Sequence, residues 1–174
     1  MFLLITGFGL ILGMLALYGQ QRGIANVGLY FTVYAGVLTA ARAVAGRLSD
    51  RWGFEPMAAG GFVFAAAGLL IIAFASNLWI LLVAALFFGI GYGVGQPCLQ
   101  AMVVRRASLE RRGAATAMLF TSFDLGTALG SVGGGYLAGL LPLSTVFGLT
   151  AVVPLVGCAV LVVHVRRHGA TRGV

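Results

Sequence analysis

An all-α membrane protein of six transmembrane helices is what this sequence predicts, on three observations. The 174 residues are 60% hydrophobic and only 9% charged, against about 45–50% and about 25% for a water-soluble domain. Six apolar runs each approach the ~20 residues that carry a helix across ~30 Å of hydrocarbon at ~1.5 Å per residue. Basic residues fall almost entirely in alternate connections between those runs, the asymmetry that fixes orientation in a bilayer.

The expected transmembrane domain spans 1–165, with helices at 1–19, 27–47, 57–75, 78–104, 113–140 and 143–165, followed by a short basic tail at 166–174. The first run starts on Phe2, Leu3 and Leu4 without the positive region that opens a secretory signal, so it reads as a membrane helix. The second carries Arg42 in its interior; the third begins after Pro56 and ends at Ser76-Asn77. The fourth contains Gly89, Gly91, Gly93, Gly95 and Pro97, which predict a flexible or kinked helix because proline removes a backbone hydrogen bond. In the fifth, Gly126, Gly130 and Gly134 recur every four positions, with Gly135 and Gly139 repeating the spacing. Such a stripe lets two helix backbones approach closely in lipid. The sixth follows a turn at Pro142.

All 11 basic residues are arginines, opposed by Asp50, Glu55, Glu110 and Asp124, for a net charge of +7. Nine of the arginines, at 47, 51, 105, 106, 111, 112, 166, 167 and 172, lie on one side of the expected topology; Arg22 lies on the other. Short arginine-rich connections stay in the cytoplasm, so both termini are expected there, in a multi-pass protein of the inner or plasma membrane. This segregation also argues against a nucleic-acid face.

Other chemistries find little support. Cys98 and Cys158 lie in apolar runs without metal-ligand spacing, and His164 and His168 flank arginines at the end of the last helix, where headgroups are expected. No metal, cofactor or catalytic residue is expected, and an intramembrane enzyme lacks a base within the membrane. The glycines at 89–95 do not follow a strand, as a dinucleotide fingerprint requires. Trp52 and Trp79 stand at expected helix ends, in the position of an aromatic belt.

The connection Gly46-Arg47-Leu48-Ser49-Asp50-Arg51-Trp52-Gly53 resembles the signature motif of the major facilitator superfamily, in the place it takes between the second and third helices of each six-helix half. Gly28 to Ala35, Arg42, Glu110 to Ala117 and Phe123 to Gly126 resemble the C-terminal half of bacterial sugar- and drug-efflux members, in the same order. Phe54-Glu55-Pro56 departs from the basic residues that usually follow. The resemblance implies one half of the fold, built of 3+3 inverted repeats, acting in secondary transport by alternating access. It implies a second six-helix half as partner, whether a separate N-terminal half or a second copy, with the lipid bilayer and a small-molecule substrate as the other partners.

Within that frame Gly46, Arg47, Leu48, Asp50, Arg51 and Gly53 are expected to gate, with Glu110, Arg111 and Arg112 completing a charge network. Asp124, deep in the fifth helix, is the candidate proton-coupling group, since intramembrane carboxylates are costly and mark function. The first and fourth helices of a half line the cavity and offer Thr6, Met14, Tyr18, Tyr92, Gln96 and Gln100. So few charges suit a neutral or amphipathic ligand moved by proton-coupled efflux. A six-helix channel or a non-transporting scaffold is the alternative; a static pore would have no use for the latch at Gly46 to Gly53.

Overall fold

Helix boundaries in this chain are set by a few glycines and prolines. The computed structural model describes residues 1–169. Helix α1 (Phe2–Gln21) ends just before Gly23, whose φ of 64° takes the chain out of the helix. Helix α2 (Gly28–Trp52) ends where Gly53 adopts φ 89°, and α3 (Phe54–Ala73) starts at the next residue. Pro56 falls in the first turn of α3, where the missing N–H leaves no bond unmade. Helix α4 (Leu78–Arg106) is capped by Asn77, whose side chain accepts from the Ile80 N–H at 3.0 Å. A 3₁₀ turn, Leu109–Arg111, leads into α5 (Arg112–Ala128), which continues through a π-helical turn, Leu129–Gly133, into α6 (Gly134–Ala138). Helices α7 (Leu143–Thr150) and α8 (Val152–Gly169) form one rod in which Ala151 keeps helical angles, −63° and −22°. Pro154 has no N–H to give the Thr150 carbonyl, which explains the interruption there.

The described residues therefore make six rods and no strand. Five of the segments, Phe2–Gln21, Gly28–Trp52, Phe54–Ala73, Leu78–Arg106 and Leu143–Val165, are long and apolar enough to cross a membrane. The other rod, Arg112–Ala138, matches the expected fifth run but is divided by its π turn. Ser131 explains the division in part: its hydroxyl donates to the Thr127 and Ala128 carbonyls at 2.9 and 3.2 Å, competing with the regular ladder. Helix α3 starts at Phe54, before Pro56 rather than after it, and two boundaries differ more from the sequence reading. Helix α2 passes its expected end at 47 and runs to Trp52, so the motif at Gly46 to Trp52 is helix rather than loop; nothing before Gly53 stops it. Helix α8 runs through 166 to Gly169, and Arg172 lies outside the described residues.

Contacts at the two ends show how the rods alternate. At the arginine-rich end, Arg106 of α4 pairs with Glu55 of α3 at 3.5 Å and meets His164 of α8 at 2.9 Å, while Arg105 stacks on the Phe54 ring at 4.3 Å. At the opposite end the Tyr18 hydroxyl of α1 donates to the carbonyls of Ala73 and Ala75 at 3.2 and 3.1 Å, and its ring meets Phe147 of α7 edge-on at 5.3 Å. Tyr18→Phe should lower the unfolding free energy in detergent by about 1–2 kcal/mol, because it strands buried acceptors. Tyr136→Phe, at an exposed position, should leave the thermal midpoint in place; equal shifts in both variants would remove this account of the end.

Between the ends the rods pack through glycine, as lipid requires when burial supplies no drive for association. Helix α4 has two glycine faces. Gly91 and Gly95 abut Gly61 of α3, so that a Cβ on Gly61 would stand 2.6 Å from the Gly95 Cα; Gly89 and Gly93 receive Val37 and Ala41 of α2. The expected flexible stretch is thus a packed one, and α4 stays helical through Pro97. On the far side α1 packs along α5, the π turn and α6, where a Cβ on Gly126 would stand 2.9 Å from the Phe2 carbonyl and one on Gly130 would overlap the Thr6 carbonyl. Leu4, Ile5, Leu10, Ile11 and Leu15 of α1 are fully buried with Leu69, Phe88 and Phe147.

Candidate functional site

A cationic side chain within an apolar helix must find a partner or a purpose. Arg42 stands about ten residues before the arginine-rich end of α2, about 15 Å deep at ~1.5 Å per residue, and Gln96 stands equally far from that end on α4. The Arg42 Nη2 donates to the Gln96 Oε1. Gln96 is buried, whereas the Arg42 side chain remains exposed. The pairing is charge-assisted, but it leaves the guanidinium's charge unneutralised: among the described residues the ion pair formed is Arg106–Glu55, at the end of the bundle.

Aromatic rings lie beyond this pair, toward the start of α2 and α4. Phe8 of α1 lies 5.2 Å from Tyr92 and 5.8 Å from Tyr34, and Tyr34 and Tyr92 are 6.3 Å apart. Phe88 stacks on Tyr92 at 6.0 Å, and Tyr30 on Tyr34 at 6.4 Å. Tyr92 stands one turn before Gln96 on α4, and Tyr34 two turns before Arg42 on α2. The buried hydroxyls of Tyr30 and Tyr92 have no hydrogen-bond partner among the described residues, and a buried donor left unmade is costly. The arrangement places a guanidinium and an amide at mid-depth beside rings that pack on one another, with Tyr30, Tyr34, Phe88 and Tyr92 all buried.

Of the cavity candidates read from the sequence, Tyr92 and Gln96 enter this cluster, and Gln100, half-buried, follows one turn along α4. The three from α1 do not. The Thr6 hydroxyl donates to the Phe2 carbonyl at 3.0 Å and its carbonyl meets Gly130; Met14 packs against Gly134 and Gly135; Tyr18 ties the opposite end. They share one ridge, at multiples of four residues, turned to α5, α6 and α3. Phe8, two residues from Thr6 and so about 200° around the helix, is what α1 sends to the cluster. The sequence carried a signal for this: Tyr30/Tyr34 and Phe88/Tyr92 are aromatic pairs four apart on two helices.

The motif residues Gly46, Arg47, Leu48, Asp50, Arg51 and Gly53 close α2, with Arg47, Asp50 and Arg51 exposed and in no ion pair among the described residues. Glu110, Arg111 and Arg112 are exposed around the 3₁₀ turn and form no ion pair with one another. The charged contact the structure does make at this end joins Glu55, Arg106 and His164, three residues from α3, α4 and α8 that the sequence reading did not connect. His164, expected to face headgroups, meets the Arg106 guanidinium. Asp124 is exposed on α5 and is not paired with Arg42. Around it α5 presents Ala117, Thr121 and Ala128 on one side, and Met118 and Leu125 on another, continued by Leu129 and Val132 of the π turn and Tyr136 of α6.

Six helical rods, five of them long and apolar enough to cross a membrane, define a polytopic helical membrane protein. Residues 1–173 match the family model of the Major Facilitator Superfamily, and the chain belongs to that family. It is 31% identical over 159 residues to the multidrug resistance protein MdtG of Proteus mirabilis (strain HI4320), covering 87% of this chain and 39% of that protein. It is 30% identical over 169 residues to an uncharacterised MFS-type transporter of Burkholderia mallei (strain SAVP1), covering 97% and 41%. Its fold matches a crystal structure of the peptide transporter POT in complex with sulfate with a TM-score of 0.83 at 20% identity, over 95% of this chain and 36% of that one. The chain thus spans about two fifths of the length of these relatives, as one half of the fold would.

Proposed function

We propose that this chain forms the C-terminal six-helix half of a secondary transporter in the inner or plasma membrane. It exports a small neutral or amphipathic molecule by proton-coupled alternating access, with both ends in the cytoplasm. The observation that carries this reading is the Arg42–Gln96 pair at mid-depth, next along α2 and α4 to the packed rings of Phe8, Tyr34 and Tyr92. A ligand with one acceptor can meet the exposed guanidinium of Arg42. The MdtG relative, named for multidrug resistance, supports export, and the arginine-rich connections support the orientation.

A second six-helix half completes the cavity. Helix α2 exposes Thr32, Ala35, Gly36, Thr39, Ala43 and Gly46, and nothing approaches within 4 Å of a Cβ at Gly36 or Gly46. With Ala117, Thr121, Asp124 and Ala128 of α5, these small and polar side chains suit close helix packing better than lipid. The gating motif and Glu110, Arg111 and Arg112 lie at the end that such a half would close against, and Asp124 is the coupling carboxylate.

Co-expression of the chain with a six-helix N-terminal half from a relative, in cells lacking efflux pumps, should lower accumulation of an amphipathic dye in a manner abolished by a protonophore. Asp124→Asn should flatten the pH dependence of that export. Export by Asp124→Asn with its pH dependence intact would remove the coupling role, and no export by any pairing would remove the transporter reading.

A further inference from the structure

We propose an anionic-phospholipid site at the end of the bundle opposite the arginine-rich one, in a groove of about 560 Å³ between α3 and α7. Its polar lining is Arg22, Ser144 and Thr145; its apolar wall includes Leu70, Phe74 and Leu149. Arg22 is the one arginine that the charge pattern places at this end, and the guanidinium lies over the Tyr18 ring at 5.3 Å. That ring is itself fixed by the hydroxyl's contacts to Ala73 and Ala75. The cation is therefore held at the mouth of the groove on a rigid platform, and among the described residues it has no carboxylate partner.

The polar lining consists of a cation and two hydroxyls and contains no acid. A phosphodiester can be neutralised by Arg22 and accept from Ser144 and Thr145, while a headgroup amine would find no counter-charge. The site therefore favours phosphatidylglycerol over phosphatidylethanolamine or phosphatidylcholine. The wall is fitted to an acyl chain: Leu70, Phe74 and Leu149 are 40%, 78% and 53% exposed and lie beside the polar group. Gly148 between them leaves the groove open, since a Cβ there would come no nearer than 3.8 Å, to Ala73. Phosphate-sized polar groups next to a hydrophobic trough are the chemistry of a lipid headgroup at its junction with the chains.

The test is native mass spectrometry of the full chain in detergent, titrated in turn with phosphatidylglycerol, phosphatidylethanolamine, phosphatidylcholine and inorganic phosphate. The expected result is retention of phosphatidylglycerol about tenfold above the other lipids. Arg22→Gln should lose that preference, Arg22→Lys should keep most of it, and Gly148→Leu, which fills the trough, should weaken every lipid while Arg22 is intact. Circular dichroism on each variant confirms that helix content is unchanged. Undiminished preference in Arg22→Gln would overturn the site, as would displacement of the lipid by millimolar phosphate, which would mean that a free anion is its occupant. Loss of the preference in Arg106→Gln but not in Arg22→Gln would place the lipid at the other end and equally overturn it.

Discussion

Gly130→Ala is expected to cost about 1–3 kcal/mol of stability, the range for forcing one extra carbon into a closed interface. The new methyl would overlap the Thr6 carbonyl of α1, and backbone cannot rotate aside as a side chain can. Either α1 shifts away from α5, losing dispersion contacts along both helices, or the π turn is rebuilt. Thermal unfolding in detergent measures the effect. Gly36→Ala is the control: nothing lies within 4 Å of its Cβ, and the added methyl should leave the isolated chain's midpoint unchanged or slightly raised. Parallel stabilisation of both variants would mean that helix propensity rather than packing governs these glycines.

Arg42→Ala should weaken ligand binding and transport by about tenfold or more, since a hydrogen bond to a charged group contributes about 1.5–3 kcal/mol and ~1.4 kcal/mol is a factor of ten. The substitution also leaves the Gln96 amide, buried at 8% exposure, without the partner it has now. Arg42→Lys should recover only part of the loss, because an ammonium cannot hold the guanidinium's two-sided geometry. Gln96→Leu should be less harmful in the Arg42→Ala background than alone, as two members of one bond cannot be lost twice. Dye binding followed by tyrosine-region fluorescence separates the variants, and strictly additive losses would show that the two residues act independently.

How much of this was legible in the sequence follows from what each signal measures. Hydropathy marks segments that lipid must surround, so the six rods could be read, and the segregation of arginines matches the end at which Arg105, Arg106 and Glu55 meet. The glycine spacing at 126, 130 and 134 correctly announced a close helix contact. Rotation about a helix axis was not legible, because a membrane helix is apolar on every side and its moment carries little direction. Thr6, Met14 and Tyr18 were accordingly assigned to the cavity although they face α5, α6 and α3, and Phe8 was overlooked. The extent of helix was misjudged at the motif, where charged residues suggested a loop and only Gly53 breaks the helix. Partners across sequence, such as Arg42 with Gln96 and Arg106 with His164, depend on that rotation and could not be assigned without it.

The wide turn at Leu129–Gly133 has a geometric consequence for the neighbour it serves. Four residues overshoot one α-helical turn of 3.6 by about 40°, so a ridge repeated every fourth residue spirals away from a straight partner. A turn closed by i→i+5 bonds holds more residues and swings the ridge back. Placed between Gly126 and Gly134, it realigns the spiral, and Gly126, Gly130 and Gly134 all stay against α1 from Phe2 to Leu10. The irregular turn acts as a phase corrector that keeps α1 and its glycine-bearing neighbour in register.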